Sequence, residues 1–205
     1  MKERGIIFCQ ELIPGVMNGT ITLTSRVIKP QPDGSSTWLP ALSAEPWLFF
    51  PDGLAGNPRV LRCPFRPGEK RYVKETWYYN GEGKDRAQNV AYRVDGEMPK
   101  YIRDAGTHWR SPMMMPRWAA RTWIEILSVK PARCQEITLA EIKASGIISH
   151  TREPGFACWW DGVNYDETPK MAYAALWDRL NAKRGFPLSA NLWVWRMTFK
   201  LAVAS

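Results

Sequence analysis

Polar and apolar side chains alternate in the early part of the chain. Between residues 19 and 28 one set of alternate positions is polar, and the intervening positions are mostly apolar. The polar set is Thr20, Thr22, Thr24 and Arg26. Because successive side chains of a strand point to opposite faces, this pattern predicts a half-buried strand with a hydroxyl-rich face. The Pro- and Gly-containing segment 29–34 ends it.

Five further segments have the alternation or the aromatic and β-branched content of strands. They are residues 46–50, 59–62, 71–79, 122–130 and 192–201. In the last segment Trp193, Trp195 and Phe199 share one face, while Arg196 and Lys200 fall on the other. The chain is therefore predicted to be rich in strands.

Two helices are marked by their first residues. Thr138 and Glu141 have the spacing of a capping box, in which each side chain binds a backbone N–H of the other residue. Thr168 followed by Pro169 is the usual start of a helix, with the cap and then proline at the first position. A third, short helix is predicted around residues 10–17.

Strands that outnumber helices and are spread along the chain indicate an α+β protein. We predict one domain over residues 1–205, built as a small, mostly antiparallel β-barrel of roughly five to seven strands with peripheral helices. A chain of this length can bury a sizeable core. Residues 81–89 and 151–169 are predicted to be surface insertions.

Charge and aromatic content change this picture by suggesting a partner. The chain has 28 Lys and Arg against 20 Asp and Glu, which gives a net charge of +8, and it contains eleven Trp. Several Trp adjoin a cation, as in Trp109-Arg110 and Arg117-Trp118. A surface that stacks bases and holds phosphates has this composition, and so does a Trp-rich core with amphipathic edges.

Other residue types exclude several kinds of chemistry. The four cysteines and two histidines are too scattered for a zinc site or for most nucleophilic schemes, and no glycine-rich phosphate loop is present. We expect no metal and no cofactor. No apolar run approaches the roughly 18 residues of a membrane span, and the start does not have the pattern of a secretory signal. These features predict a cytoplasmic protein without a membrane partner.

Five separated motifs occur in an order that resembles a known family. They are the segment 19–32, Cys63-Pro64 with 73–77, 115–118 with Arg121, 176–181, and 193–195 with Phe199. Together they resemble the phage and prophage proteins of the ASCH group, in the PUA-like barrel superfamily. The resemblance extends from about residue 6 to about residue 201. It implies a pseudo-barrel in which the segment after Gly19 borders a cleft for RNA or a nucleoside.

The same resemblance includes bacterial acetylcytidine amidohydrolases, whose catalytic set is a Lys, a Thr and a Glu. The Thr falls on Thr24, but the Lys falls on Ile21 and the Glu on Ser145. Phage relatives commonly have His where this chain has Met114 and a second Arg where it has Ser25. Acid–base chemistry near neutral pH needs ionisable groups. These departures imply binding without hydrolysis.

A set of residues is predicted to form the ligand site. Its members are Thr22, Thr24, Arg26, Lys29, Glu75, Arg117, Trp118 and Arg121. Arg26 could contact a phosphate or a base edge, or it could have a structural role by pairing with Glu75 or with a helix C-terminus. A buried Glu75 needs a cationic partner, for which Arg26 or Arg117 would serve. Glu75 and Thr24 are the remaining candidates for a catalytic role.

Three functions are compatible with these patterns. The first is binding of RNA, a single strand or a modified base by a phage-type protein with a PUA-like cleft. The second is hydrolysis of a modified nucleoside or RNA. The third is a protein-interaction role in phage assembly or against host defence, through a surface of Trp side chains and the run 113–115 of methionines.

Overall fold

The structure of the protein is a computed structural model that describes residues 4–32, 37–40, 47–50, 59–79, 89–98, 100–104, 108–152 and 156–203. The strands are β1 (Arg4–Ile7), β2 (Leu23–Val27), β3 (Thr37–Pro40), β4 (Trp47–Phe50), β5 (Arg59–Leu61), β6 (Lys70–Lys74), β7 (Trp77–Tyr79), β8 (Val90–Tyr92), β9 (Trp123–Arg133), β10 (Ile148–Arg152), β11 (Phe156–Trp160), β12 (Tyr165–Asp166) and β13 (Trp193–Ala202). The α-helices are α1 (Ile13–Met17), α2 (Lys100–Asp104), α3 (Leu139–Ala144) and α4 (Pro169–Asn181). This mixed α+β content confirms the predicted class.

The chain divides into two compact units. Unit 1 comprises Met1–Thr22, Glu69–Glu125 and Phe199–Ser205. In this unit β1 pairs in parallel with β6, and β6 pairs in antiparallel fashion with the first residues of β9. A separate antiparallel pair is formed by β7 and β8. The buried side chains of the unit include Ile6 and Val73.

Unit 2 comprises Leu23–Gly68 and Ile126–Thr198. Here β2 pairs in antiparallel fashion with β13, which sets Arg26 opposite Trp195. The strands β3, β4 and β5 form a second antiparallel sheet, and β10, β11 and β12 form a third. One core cluster of the unit contains Ile28 and Cys63 with the rings of two Trp.

The described strands form four open sheets. The prediction that they close into a barrel is therefore wrong. A barrel closes only when the first and last strands of one sheet pair with each other. Most described strands have five residues or fewer, and the strand predicted over 71–79 is interrupted at Glu75 and Thr76. The chain therefore folds into short strands in several sheets.

Most of the predicted strands are present, and one begins later than predicted. The segments 46–50, 59–62, 122–130 and 192–201 correspond to β4, β5, β9 and β13. The strand predicted from residue 19 begins instead at Leu23. Gly19 has a φ of 77°, and Thr20 Oγ1 donates a hydrogen bond to the Gly15 carbonyl at 3.2 Å. Thr20 is hydrogen-bonded within this turn and lies outside the strand. The row of hydroxyl side chains on β2 is therefore shorter than predicted.

The predicted helix starts are confirmed. Thr138 Oγ1 accepts a hydrogen bond from the Glu141 N–H at 3.2 Å, and the Thr138 N–H donates to Glu141 Oε2 at 3.0 Å. Thr168 Oγ1 accepts from the Met171 N–H at 3.2 Å, with Pro169 at the first position of α4. No helix in the described part of the chain is long and apolar enough to cross a membrane.

The two predicted insertions have different outcomes. Residues 81–88 lie outside the described residues. The segment 151–169, which was predicted to be a surface insertion, contains β11, β12 and the turn that joins them.

Candidate nucleic-acid interface

A buried carboxylate and an arginine form the central ion pair of unit 1. Glu75 is 2% exposed and lies at the break between β6 and β7. Arg121 Nε donates to Glu75 Oε1 at 3.1 Å, and Arg121 Nη2 donates to Oε2 at 2.8 Å. This paired geometry is the strong form of a charge-assisted hydrogen bond. The partner of Glu75 is therefore Arg121, where the sequence predicted Arg26 or Arg117.

The same guanidinium also binds a second carboxylate. Arg121 Nη1 donates to Asp95 Oδ2 at 2.7 Å, and Nη2 donates to Asp95 Oδ1 at 2.9 Å. Arg121 thus uses four of its five N–H donors on carboxylates. Burial alone would lower the pKa of Arg121, but the bonds to Glu75 and Asp95 raise it overall. Unless one of these bonds breaks, Arg121 has a single N–H donor left for a phosphate.

An aromatic ring completes the arginine site. The Arg121 guanidinium carbon lies 3.9 Å from the centroid of the Tyr92 ring, and Tyr92 Oη donates to the Ala119 carbonyl at 2.6 Å. Burial raises the pKa of Tyr92 to about 12, although the charge of Arg121 opposes the shift. The phenol therefore stays protonated near neutral pH and keeps its hydrogen bond.

The surroundings of Glu75 do not suit general acid–base catalysis. Both of its carboxylate oxygens accept hydrogen bonds from Arg121, and its N–H donates to the sulfur of Met115 at 3.1 Å. A general base must reach the proton that it removes. The structure gives Glu75 the geometry of an anchor for Arg121.

Trp118 is held in place by two other rings while part of it stays exposed. It lies in a 3-10 helix over Arg117–Ala119 and is 39% exposed. Its ring meets that of Trp77 edge-on, with centroids 5.8 Å apart, and that of Tyr79 with centroids 5.1 Å apart. Edge-to-face packing of this kind is favourable and fixes ring orientation. Unit 1 therefore presents an oriented, partly exposed indole.

Unit 1 also contains three contacts between a cation and an aromatic ring. The cation–ring pairs, with distances to the ring centroid, are Arg117 with Trp123 at 5.0 Å, Arg110 with Trp77 at 5.3 Å and Lys74 with Tyr72 at 5.7 Å. Lys74 Nζ also donates to the Met113 carbonyl at 3.0 Å. Arg110 and Arg117 therefore contact the rings of Trp77 and Trp123, which are not the tryptophans next to them in the sequence.

The methionine run divides between surface and core. Met113 and Met114 are 73% and 72% exposed, whereas Met115 is buried in a cluster with Trp77 and Ala119. Ser111 caps the short helix Pro112–Met114 by accepting the Met113 N–H. Two flexible apolar side chains are thus presented to solvent close to Trp118 in the sequence.

The polar row of β2 belongs to unit 2. Thr24 lies opposite Met197 and Arg26 lies opposite Trp195, and both side chains are half-buried. Lys29 follows the strand, and its Nζ lies 4.3 Å from the centroid of the Phe186 ring. Of the other predicted ligand residues, Thr22 falls in unit 1, where its carbonyl accepts from the Phe199 N–H at 2.8 Å.

The predicted ligand residues are therefore distributed over both units. Unit 2 holds Thr24, Arg26 and Lys29. Unit 1 holds Thr22, Glu75, Arg117, Trp118 and Arg121. In unit 1 the structure joins Glu75 to Arg121 and places Arg117 next to Trp118 in one short helix.

Sequence reasoning missed a buried arginine in unit 2. Arg196 was predicted on a polar strand face, but it is 2% exposed. Its Nη2 donates to the Arg133 carbonyl at 2.9 Å, and its Nη1 donates to the Glu136 carbonyl and, at 3.2 Å, to Glu141 Oε2. The indication in the sequence was Glu141. Its carboxylate caps α3 and also accepts a hydrogen bond from Arg196.

The Glu141 carboxylate is held in its charged form. Burial alone would raise its pKa, but the Thr138 N–H, Lys130 and Arg196 together lower it. Lys130 Nζ lies 3.1 Å from Glu141 Oε1. This group of charges ties α3 to β9 and β13 within unit 2.

The positions that correspond to the amidohydrolase Lys and Glu have structural surroundings. Ile21 is buried against Gly15. Ser145 is buried at the end of α3, where its Oγ donates to the Ile142 carbonyl at 2.7 Å. Within the described ranges no group of three or more His, Cys, Asp or Glu side chains could hold a metal ion.

The net charge does not select one unit over the other. Each unit has the same number of basic and the same number of acidic residues. The side-chain arrangement offers two candidate interfaces, which are the exposed indole of unit 1 and the polar row of β2. Comparison with known proteins gave no matching family model, no matching curated protein and no matching solved structure.

Proposed function

We propose that this protein binds single-stranded nucleic acid, in particular RNA or a modified base, as a phage- or prophage-type relative of the ASCH group. The observation that carries the proposal is Trp118, an exposed indole oriented by Trp77 and Tyr79 and preceded in the same short helix by Arg117. Proteins that bind single strands combine aromatic rings, on which bases stack, with cations that hold the backbone.

The charge of the chain supports this proposal. A net charge of +8 favours a polyanionic partner. Arg117 adjoins the stacking ring, and its guanidinium lies over the ring of Trp123. An arginine that is positioned in this way can bind phosphate with less loss of side-chain entropy.

The row on β2 supplies polar groups for a base. A threonine hydroxyl both donates and accepts, so Thr24 can bind either kind of base edge. Arg26 provides paired donors suited to a phosphate or to a guanine edge. The five separated motifs that resemble the ASCH group include both residues.

A Trp118→Ala variant should bind single-stranded RNA more weakly by about 1–3 kcal/mol, because a base loses its stacking partner. The dependence of affinity on salt should change little, since stacking releases no counterions. Fluorescence anisotropy with a labelled RNA of about a dozen nucleotides measures both quantities.

The matched control for this variant is Met113→Ala, which removes an exposed apolar side chain from the neighbouring helix without removing a ring. It should leave RNA affinity unchanged. Thermal unfolding of both variants shows whether the fold is retained. A folded Trp118→Ala protein with the affinity of the unmodified protein would argue against stacking at this position.

The exposed methionines favour protein interaction as a second candidate function. Met113 and Met114 present adaptable apolar surface of the kind found at promiscuous binding sites. Under this alternative, Met113→Ala together with Met114→Ala would weaken capture of a partner protein, and RNA binding would be absent.

We expect no release of acetate from acetylcytidine by the purified protein. Ile21 provides no amine, Ser145 provides no carboxylate, and Glu75 is bound by Arg121. For the same reason Ile21→Lys alone should not create activity. Chromatography of the nucleoside after incubation measures turnover. Turnover by the unmodified protein that is lost in Thr24→Ala would instead support the hydrolase function.

A further inference from the structure

The sheet formed by β10, β11 and β12 has a face with three adjacent rings. Ile148 lies opposite Trp160, and Trp160 lies opposite Tyr165. Directly opposite residues of antiparallel strands point to the same side, so these three side chains share one face. The Trp160 and Tyr165 ring centroids are 4.6 Å apart, and the His150 ring meets Tyr165 edge-on at 5.7 Å. We call the side chains of Ile148, His150, Trp160 and Tyr165 the hairpin face.

Three of the four side chains of the hairpin face are exposed, and Trp160 is half-buried. Tyr165 is 45% exposed and Ile148 is 48% exposed, and His150 is also exposed. The alternation of the strands puts Trp159 and Asp166, which are opposite each other, on the other face. Lys143 of α3 lies over the Trp159 ring at 5.7 Å. The hairpin face is therefore the side of the sheet away from this α3 contact.

The carboxylates within residues 156–166 do not lie on the hairpin face. Asp161 is fully buried, where it accepts from Arg179 Nη1 at 2.7 Å and from the backbone N–H groups of Val163 and Asn164. Asp166 is on the opposite face. The hairpin face thus presents rings and one imidazole, with no carboxylate of the hairpin to repel a phosphate.

The turn of the hairpin is held by hydrogen bonds and an ion pair. Asp161 closes the turn between β11 and β12 through its bonds to Val163 and Asn164, and Arg179 joins that turn to α4. Helix α4 also packs against β11 and β12. A ring surface that is fixed before binding loses less conformational entropy when a base stacks on it.

We propose that the hairpin face stacks a base of the bound single strand, which makes it a second aromatic contact surface besides Trp118. This inference rests on the proposed function. Two features favour a nucleobase over an apolar protein segment: three of the four side chains of the hairpin face are aromatic rings, and the chain has a net positive charge. Single-stranded RNA is commonly bound by aromatic side chains on a sheet surface, including histidine.

The test replaces Tyr165, which is 45% exposed on this face. Tyr165→Ala should weaken binding of a labelled single-stranded RNA about ten-fold, with little change in its salt dependence. Tyr165→Phe should bind as the unmodified protein does, because it keeps the ring. Val163→Ala, which changes an exposed aliphatic side chain of the adjoining turn, should have no effect.

Photo-crosslinking to RNA that contains 5-iodouridine gives an independent readout of contact. We expect crosslinked peptides from residues 156–166, and their loss in Tyr165→Ala. If Trp118→Ala weakens binding while Tyr165→Ala neither weakens it nor changes the crosslinks, the inference is wrong and the proposed function stands. If the unmodified protein binds no RNA, both fail. A protein partner captured through Tyr165, without any effect on RNA, would also overturn the inference.

Discussion

Replacing Arg121 with methionine is expected to lower the free energy of unfolding by about 3–5 kcal/mol. Glu75 is almost fully buried, and Arg121 is its bound cation. Removal of the guanidinium leaves a desolvated carboxylate without compensation, and that cost exceeds the favourable energy of the pair itself. Asp95 is half exposed and can be solvated, so the penalty arises at Glu75.

Urea unfolding followed by circular dichroism measures this difference. The matched control is Arg103→Met, because Arg103 is largely exposed and lies 3.7 Å from a carboxylate of Glu97 that is itself exposed. That variant should change stability by less than about 1 kcal/mol. Adding Glu75→Gln to Arg121→Met should restore part of the loss. Equal stability of the Arg121 and Arg103 variants would contradict the buried pair.

An Arg196→Met variant is expected to lose about 2–4 kcal/mol of stability. Its guanidinium donates to the carbonyls of Arg133 and Glu136, and these acceptors would lose a charged donor in a buried region. Leaving buried polar groups without partners costs more than the bonds contribute on balance. The same unfolding measurement applies.

Lys130→Met provides the comparison for Arg196. Lys130 contacts the same carboxylate, Glu141, but its side chain is largely exposed. We expect a change below about 1 kcal/mol for that variant. If the two variants lost equal stability, the burial of Arg196 would not be the source of the effect.

The elements that could be predicted from sequence are those specified by local contacts. The starts of α3 and α4 depend on hydrogen bonds over three residues, as in the pairs of Thr138 with Glu141 and Thr168 with Met171. Strands such as β9 and β13 are visible because alternation is itself a local pattern. The turn at Gly19 was missed because it preserves the alternation while it removes Thr20 from the strand.

The contacts that could not be predicted join residues far apart in the chain. Arg121 is 46 residues from Glu75, and at that separation Arg26 and Arg117 were equally reasonable partners. Arg196 follows the polar positions of its strand, yet it is buried. Alternation assigns a residue to a face, but it does not say whether that face is covered. The buried guanidinium of Arg196 is stabilised by hydrogen bonds to the carbonyls of Arg133 and Glu136, which lie 63 and 60 residues earlier in the chain.

The candidate interface was predicted in its residue types and only partly in its arrangement. Sequence reasoning selected Trp118 and Arg117, and the structure places them in one short helix with the indole exposed. It grouped Arg121 with them as a phosphate ligand, whereas Arg121 binds two carboxylates. Residues 151–169 were predicted only as a surface insertion, and the strand pairing that puts Trp160 opposite Tyr165 was not predicted.

The most direct test of the central claim is a salt titration of RNA binding by the unmodified protein. We predict that the logarithm of Kd rises linearly with the logarithm of salt concentration between about 50 and about 200 mM. The slope should decrease by about 0.7 for each phosphate contact removed in Arg26→Gln or Arg117→Gln. A folded protein that shows no salt-dependent binding to single-stranded RNA would contradict the account.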